Sequence, residues 1–181
     1  MEGIRRGDKD IYPLALVNNV LGGCISSRLF QKIREEKGLV YSIYSHLDTY
    51  RDIGIFSIYA ALSPEQLMNV VKLIKEEIDC LKKYLITEEE LNKSKEQIKS
   101  SYILGLEDTF SRMINLGESE LLLRRIIPHK EIIETIDEIC IDDIERVVLR
   151  VFDESKYNIA YVGNVENHEK INNQLKEILF N

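Results

Sequence analysis

Between Arg28 and Leu62 the apolar residues change period, and that change dictates what the chain can fold into. The stretch reads RLFQKIREEKGLVYSIYSHLDTYRDIGIFSIYAAL, with helical spacing first and strand composition after it. Ser26 and Ser27 precede Leu29, Phe30 and Ile33, which form an apolar stripe, while Lys32, Arg34, Glu35, Glu36 and Lys37 fill the opposite face. Gly38 supplies the stop, because glycine enters the left-handed region without steric cost. Leu39–Thr49 and Ile53–Leu62 are rich in Tyr, Ile and Val and flank the polar Asp48–Asp52 connection, so the spacing predicts a hairpin after the helix.

Two side chains of this unit can do chemistry. Arg34 stands in the last turn of the helix, and Tyr41 stands at the start of the first strand. A guanidinium fork and a phenol both donate hydrogen bonds, so converging on one carbonyl they would polarise it and hold the oxyanion that develops. The plainer reading of the same residues is a solvated arginine on a charged helix face and a packed strand tyrosine.

The remaining elements follow in order. Asp8–Asp10 and Pro13 open a helix with Leu14, Leu16, Val17, Val20 and Leu21, closed by Gly22 and Gly23. GGCISS lacks the lysine and spacing of a phosphate loop. Ser63-Pro64-Glu65-Gln66 and Thr87-Glu88-Glu89-Glu90 both have the capping-box pattern ahead of helices, the first with Val70, Val71, Ile74, Ile78 and Leu81 on one face. A helix over 108–125 is expected to have much of its surface covered. Helices follow at Pro128 and at Asp142-Asp143, then a third strand at Tyr157–Val162 ended by Gly163, and a last helix over Glu166–Phe180. Many helices with an adjacent strand pair and one distant strand make an α+β arrangement with helices on a mainly antiparallel sheet.

At 181 residues, with 44% hydrophobic and 30% charged side chains, the chain is long enough for one ordinary globular domain, assigned to 1–181. The net charge of −7 and the mixing of basic with acidic residues exclude a stripe for a nucleic-acid backbone. No apolar run reaches membrane-spanning length and MEGIRRGDKD has no signal core, so the expected compartment is the cytoplasm. Cys24, Cys80 and Cys140, odd in number and in apolar neighbourhoods, are expected as reduced core residues.

The strings LGGCISSRLFQKIREEKGLVYSIYS, YRDIGIFSIYAALSPEQ, TEEELNKSKEQIKSSYILGLED, SRMINLGESELL and YNIAYVGNV, in that order, resemble the C-terminal half of a bacterial insulinase/pitrilysin-family zinc peptidase, similar to the mitochondrial processing peptidases. The resemblance covers nearly the whole chain. It implies a metallohydrolase fold with an antiparallel sheet of about six strands, the first of which would precede Met1. It also implies that Arg34 and Tyr41, in the family's R-x6-Y arrangement, bind substrate backbone near the scissile carbonyl.

The family's zinc motif, H-x-x-E-H, is missing. None of His46, His129 and His168 begins it. A catalytic zinc needs three protein ligands held together, so the chain offers no metal ligands and no residue for zinc–water chemistry. The resemblance places the zinc, and the glutamate that activates its water, on an N-terminal catalytic half or a paired subunit. The function expected on these grounds is the substrate-binding domain of a zinc metalloendopeptidase acting on peptides or unfolded protein, with the isolated chain inactive. The alternative is a non-catalytic scaffold half that pairs with an active partner. Pairing of two copies is compatible with either.

Overall fold

The computed structural model describes residues 1–164 and 167–180. Its α-helices are α1 (Ile11–Asn18), α2 (Leu67–Tyr84), α3 (Glu88–Gly105), α4 (Thr109–Glu118), α5 (His129–Glu138), α6 (Ile141–Val151) and α7 (His168–Phe180). β1 (Ser42–Thr49) and β2 (Gly54–Ala61) form the expected antiparallel hairpin, with Tyr44 opposite Tyr59 and His46 opposite Ser57. Before the hairpin runs a helical segment of π type, Phe30–Glu36. The arrangement is α+β, as the sequence predicts.

One face of the hairpin is buried. Ile43 and Phe56 point inward with Ser45, and Tyr44, His46, Ile55 and Tyr59 point out, which is the period-2 alternation expected of a sheet covered on one side. The covering layer is α1 and the π-type turn Asn19–Gly23 that continues it; Leu14, Leu16 and Val17 of the helix and Leu21 of the turn join Ile144, Val147, Val148 and Val151 of α6 and Val70, Ile78 and Leu81 of α2 in one core. Phe56 meets Phe152 edge to face, with ring centroids 5.1 Å apart. The end of α1 approaches β1 so closely that a Cβ on Gly22 would lie 2.7 Å from the backbone nitrogen of Ser45, so only glycine fits there.

The N-terminal segment is tied down by charge. Asp10 is buried, and its carboxylate accepts from Arg146 Nε at 3.0 Å and Arg150 Nη1 at 2.8 Å, while Asp8 accepts from Arg150 Nη2 at 2.9 Å. A carboxylate at this depth is tolerable only when paired in this way.

Five expectations need correction. Tyr157–Val162 is not a strand: Tyr157 to Ala160 lies across a slot of about 330 Å³ from Met1 and Phe56–Ile58, so its backbone does not reach the edge of β2. Strand-forming side chains need a neighbouring backbone to pair with. The described sheet has two strands, with a single further bridge between Glu2 and Ile55, against the three read from the sequence and the about six implied by the resemblance. The 108–125 segment is helical but largely uncovered, with Phe110, Met113, Ile114, Leu116 and Leu121 all exposed. Periodicity reports that a helix has an apolar face, not what covers it. Ser63 makes no side-chain cap, since the first turn after it is the 3₁₀ turn Pro64–Gln66, whereas Thr87 and Glu90 do form their capping box. The cysteines are free, but none is in the buried core: Cys24 and Cys80 are half-buried and Cys140 is exposed. Glu166, expected to begin the last helix, lies outside the described residues.

Truncating Phe56 removes a fully buried ring from the contact between sheet and helices. Phe56→Ala is expected to cost about 3–5 kcal/mol, read as a fall in the thermal or urea midpoint.

Candidate functional site

The helical segment that carries Arg34 is seated by Leu29 and Ile33, both fully buried. Its last turn closes through Gly38, whose N–H donates to the Arg34 carbonyl at 3.1 Å, and Leu39, whose N–H donates to the Ile33 carbonyl at 3.1 Å. Gly38 has φ +62°, the left-handed conformation that a side chain disfavours. Val40 re-enters the core, and the Tyr41 N–H donates to the Ala61 carbonyl at 2.7 Å, fixing the start of the hairpin.

Arg34 and Tyr41 thus sit on either side of one glycine turn, both at the surface, and the Tyr41 ring is 76% exposed. Their side chains share no hydrogen bond. The Arg34 guanidinium instead lies over the Phe30 ring, 4.7 Å from its centroid. Such an exposed cation–π contact is worth only about 0.5–1 kcal/mol, so an incoming carbonyl can displace it.

The opposite side of the same helix is clamped. Arg28 sends Nε and Nη2 to the two carboxylate oxygens of Glu90 at 2.8 and 2.6 Å, and Nη2 also donates to the Leu85 carbonyl at 3.1 Å. Lys32 Nζ lies 2.5 Å from Oε1 of Glu77, a buried carboxylate on α2. The guanidinium holds the Glu90 carboxyl below the usual carboxylate range, and the bond to Glu77 pushes the Lys32 ammonium pKa up. Sequence reasoning gave Lys32 to a charged helix face and Glu90 to a capping box, and saw neither ion pair. A signal existed in Glu77, which follows Val70 and Ile74 and precedes Leu81 at helical spacing and so falls on the apolar face of α2.

The histidines are dispersed. His46 Nε2 bonds Asp48 Oδ1 at 2.9 Å, His129 Nδ1 bonds the Tyr102 hydroxyl at 2.6 Å, and His168 Nδ1 bonds the Tyr161 hydroxyl at 3.0 Å. Among the described residues no group of three His, Cys, Asp or Glu side chains is placed to hold a metal, so the donors described do not fit a zinc ion. A cavity of about 490 Å³ opens between α1, α3, α4 and α5, lined by Tyr12, Ile98, Leu116 and Ile132, with the Tyr102–His129 pair in its wall. Burial pushes the pKa of both Tyr12 and Tyr102 up. Among the described residues no helix is long and apolar enough to cross a membrane.

Comparison with known proteins bears on the class of this chain. Residues 2–98 match the family described as the Peptidase M16 inactive domain. The chain is 45% identical over 146 residues to an uncharacterized zinc protease of Bacillus subtilis, covering 81% of this chain and 35% of that one. It is 33% identical over 180 residues to one from Mycobacterium tuberculosis, covering 98% and 41%. Among solved structures, a conserved protein of Enterococcus faecalis matches with TM-score 0.73 and 26% identity over 82% of this chain and 35% of that one. An M16 inactive domain from Pseudomonas fluorescens matches in fold, with TM-score 0.74 and 22% identity over 84% of this chain and 36% of that one. The chain belongs to the M16 peptidase family, in its inactive, C-terminal domain. It spans about a third to two-fifths of the length of these relatives.

Two outcomes follow from the site's geometry. Gly38→Ala is expected to cost about 1 kcal/mol through its positive φ, seen as a lower thermal midpoint. The depressed Glu90 pKa contributes stability that is present above the unfolded carboxylate value, near pH 4, and is lost as pH falls through the folded value. Glu90→Gln, which keeps the capping box, should therefore be about 1 kcal/mol less stable than the parent at pH 7, allowing for solvent screening. The difference between the two proteins should shrink in urea titrations as the pH is lowered below about 4.

Proposed function

We propose that this chain is the substrate-binding, C-terminal half of a zinc-dependent metalloendopeptidase that hydrolyses peptide bonds in peptides or unfolded segments. The observation that carries the reading is the family match over residues 2–98, which contain Arg34 and Tyr41 at the surface on one glycine turn. In this reading the zinc belongs to a catalytic half, in the same polypeptide or in a paired subunit, because the donors described do not fit it. What this chain contributes is hydrogen-bond donation. Arg34 leaves Phe30 and, with the Tyr41 hydroxyl, donates to the scissile carbonyl or its neighbour, where charge develops in the transition state.

The proposed pairing uses surfaces that otherwise lack cover. The apolar face of α4 suits contact with the other half, and the slot beside Met1 and Phe56 suits the additional strand of a larger sheet. Three free thiols suit a reducing compartment, so the proposal places the protein in the cytoplasm. One observation favours a second reading, a scaffold half that pairs with an active partner: Arg34 rests on Phe30 and not beside Tyr41.

The two readings separate on the same variants. In the complete enzyme, Arg34→Ala or Tyr41→Phe is expected to remove roughly 3 kcal/mol of transition-state stabilisation, about a hundredfold in kcat/KM. A loss of less than threefold in both would contradict the substrate-binding role and favour the scaffold.

A further inference from the structure

Two ion pairs attach the Arg34 helix to the body of the protein from one side. Arg28 and Lys32 are four residues apart, and they reach different helices: Glu90 at the start of α3 and Glu77 in the middle of α2. The other attachment of this helix is the apolar contact of Leu29 and Ile33. Apolar contact is non-directional, so by itself it permits the helix to roll about its axis. Paired charges at two heights on two partners remove that freedom. Arg34 follows Lys32 by two residues, so a roll that strains the Lys32–Glu77 pair also displaces Arg34, and through Gly38 it displaces Tyr41.

Arg28 also holds a strained turn. Leu85, at the end of α2, has φ 59° and ψ −157°, a region that glycine alone occupies comfortably, and its carbonyl is the one that Arg28 Nη2 reaches. Strain of this kind persists where the surroundings over-determine the backbone. Glu90 is shared in the same way: it accepts from Arg28 and from the Thr87 N–H at 2.8 Å, so the start of α3 and the start of the Arg34 helix are set by one carboxylate.

We propose that Arg28 and Lys32, held by Glu90 and Glu77, are positioning residues that aim Arg34 and Tyr41 at the substrate carbonyl; this rests on the peptidase reading above. None of the four touches substrate. Their work is orientation more than stability, because a buried ion pair replaced by apolar groups of similar volume is often neutral for folding, whereas a misdirected donor is costly for catalysis.

The test uses the complete enzyme, catalytic half included, with dye-labelled casein as substrate. In Lys32→Met/Glu77→Leu, kcat should fall about tenfold with KM within about twofold, while the thermal midpoint stays near that of the parent. Lys32→Arg, which keeps the pair, should restore most of kcat. In an Arg34→Ala/Tyr41→Phe background the double substitution should have no further effect, since it acts through those two side chains. Amide exchange at Gly38 and Leu39 should quicken while the β1–β2 ladder is unchanged, a readout independent of activity. Should the double variant fail to fold, Glu77→Gln takes its place with the same pattern at about threefold. Unchanged kcat and exchange, or losses that add to that of Arg34→Ala/Tyr41→Phe, overturn the inference and leave the substrate-binding reading intact. Silence of both Arg34→Ala and Tyr41→Phe overturns both readings, and is recognised from those two single variants.

Discussion

A two-stranded hairpin is at best marginal in water by itself, so burial of the inner face of β1 and β2 is the interaction on which the rest of this structure depends. Phe56, packed on Phe152, and Ile43, under α1, commit one face of the hairpin to the core. Because strand side chains alternate, the same commitment sends Tyr44 and Tyr59 outward, where their rings stack 5.0 Å apart. The close approach at Gly22 and the charge pairs of Asp10 with α6 then hold the covering layer in place.

The candidate site is a consequence of how the chain enters that hairpin. The helix before it is anchored by two apolar residues and two ion pairs, and it ends in a left-handed glycine, so Arg34 and Tyr41 are carried at the surface on a rigid turn. Both are donors, and neither spends its polar group on the fold: Arg34 lies over an exposed ring and the Tyr41 side chain stands in solvent. Exposed donors on a well-held turn are what the proposed substrate-binding role requires.

Much of this was legible in the sequence where the signal is local. The switch from helical to alternating spacing across Gly38 located the helix and hairpin, and Thr87 with Glu90 marked the start of α3. What failed depends on long-range partners. Tyr157–Val162 has strand composition, yet Tyr157 to Ala160 faces an empty slot and not a backbone. The apolar face around Phe110 and Met113 is real, but among the described residues it stays exposed. The clamp from Arg28 and Lys32 joins residues 62 and 45 positions apart, a pairing that local spacing does not encode; only Glu77, charged on an apolar helix face, hinted at it.

The most direct test of a divided active site is cleavage of labelled unfolded polypeptide, with added zinc, by this chain alone and by the same chain joined to its catalytic half, each with and without a chelator. The account predicts cleavage only by the joined protein, abolished by the chelator. Cleavage by the chain alone would show that it holds catalytic ligands of its own, and the absence of cleavage in both would leave the scaffold role in place of the enzyme.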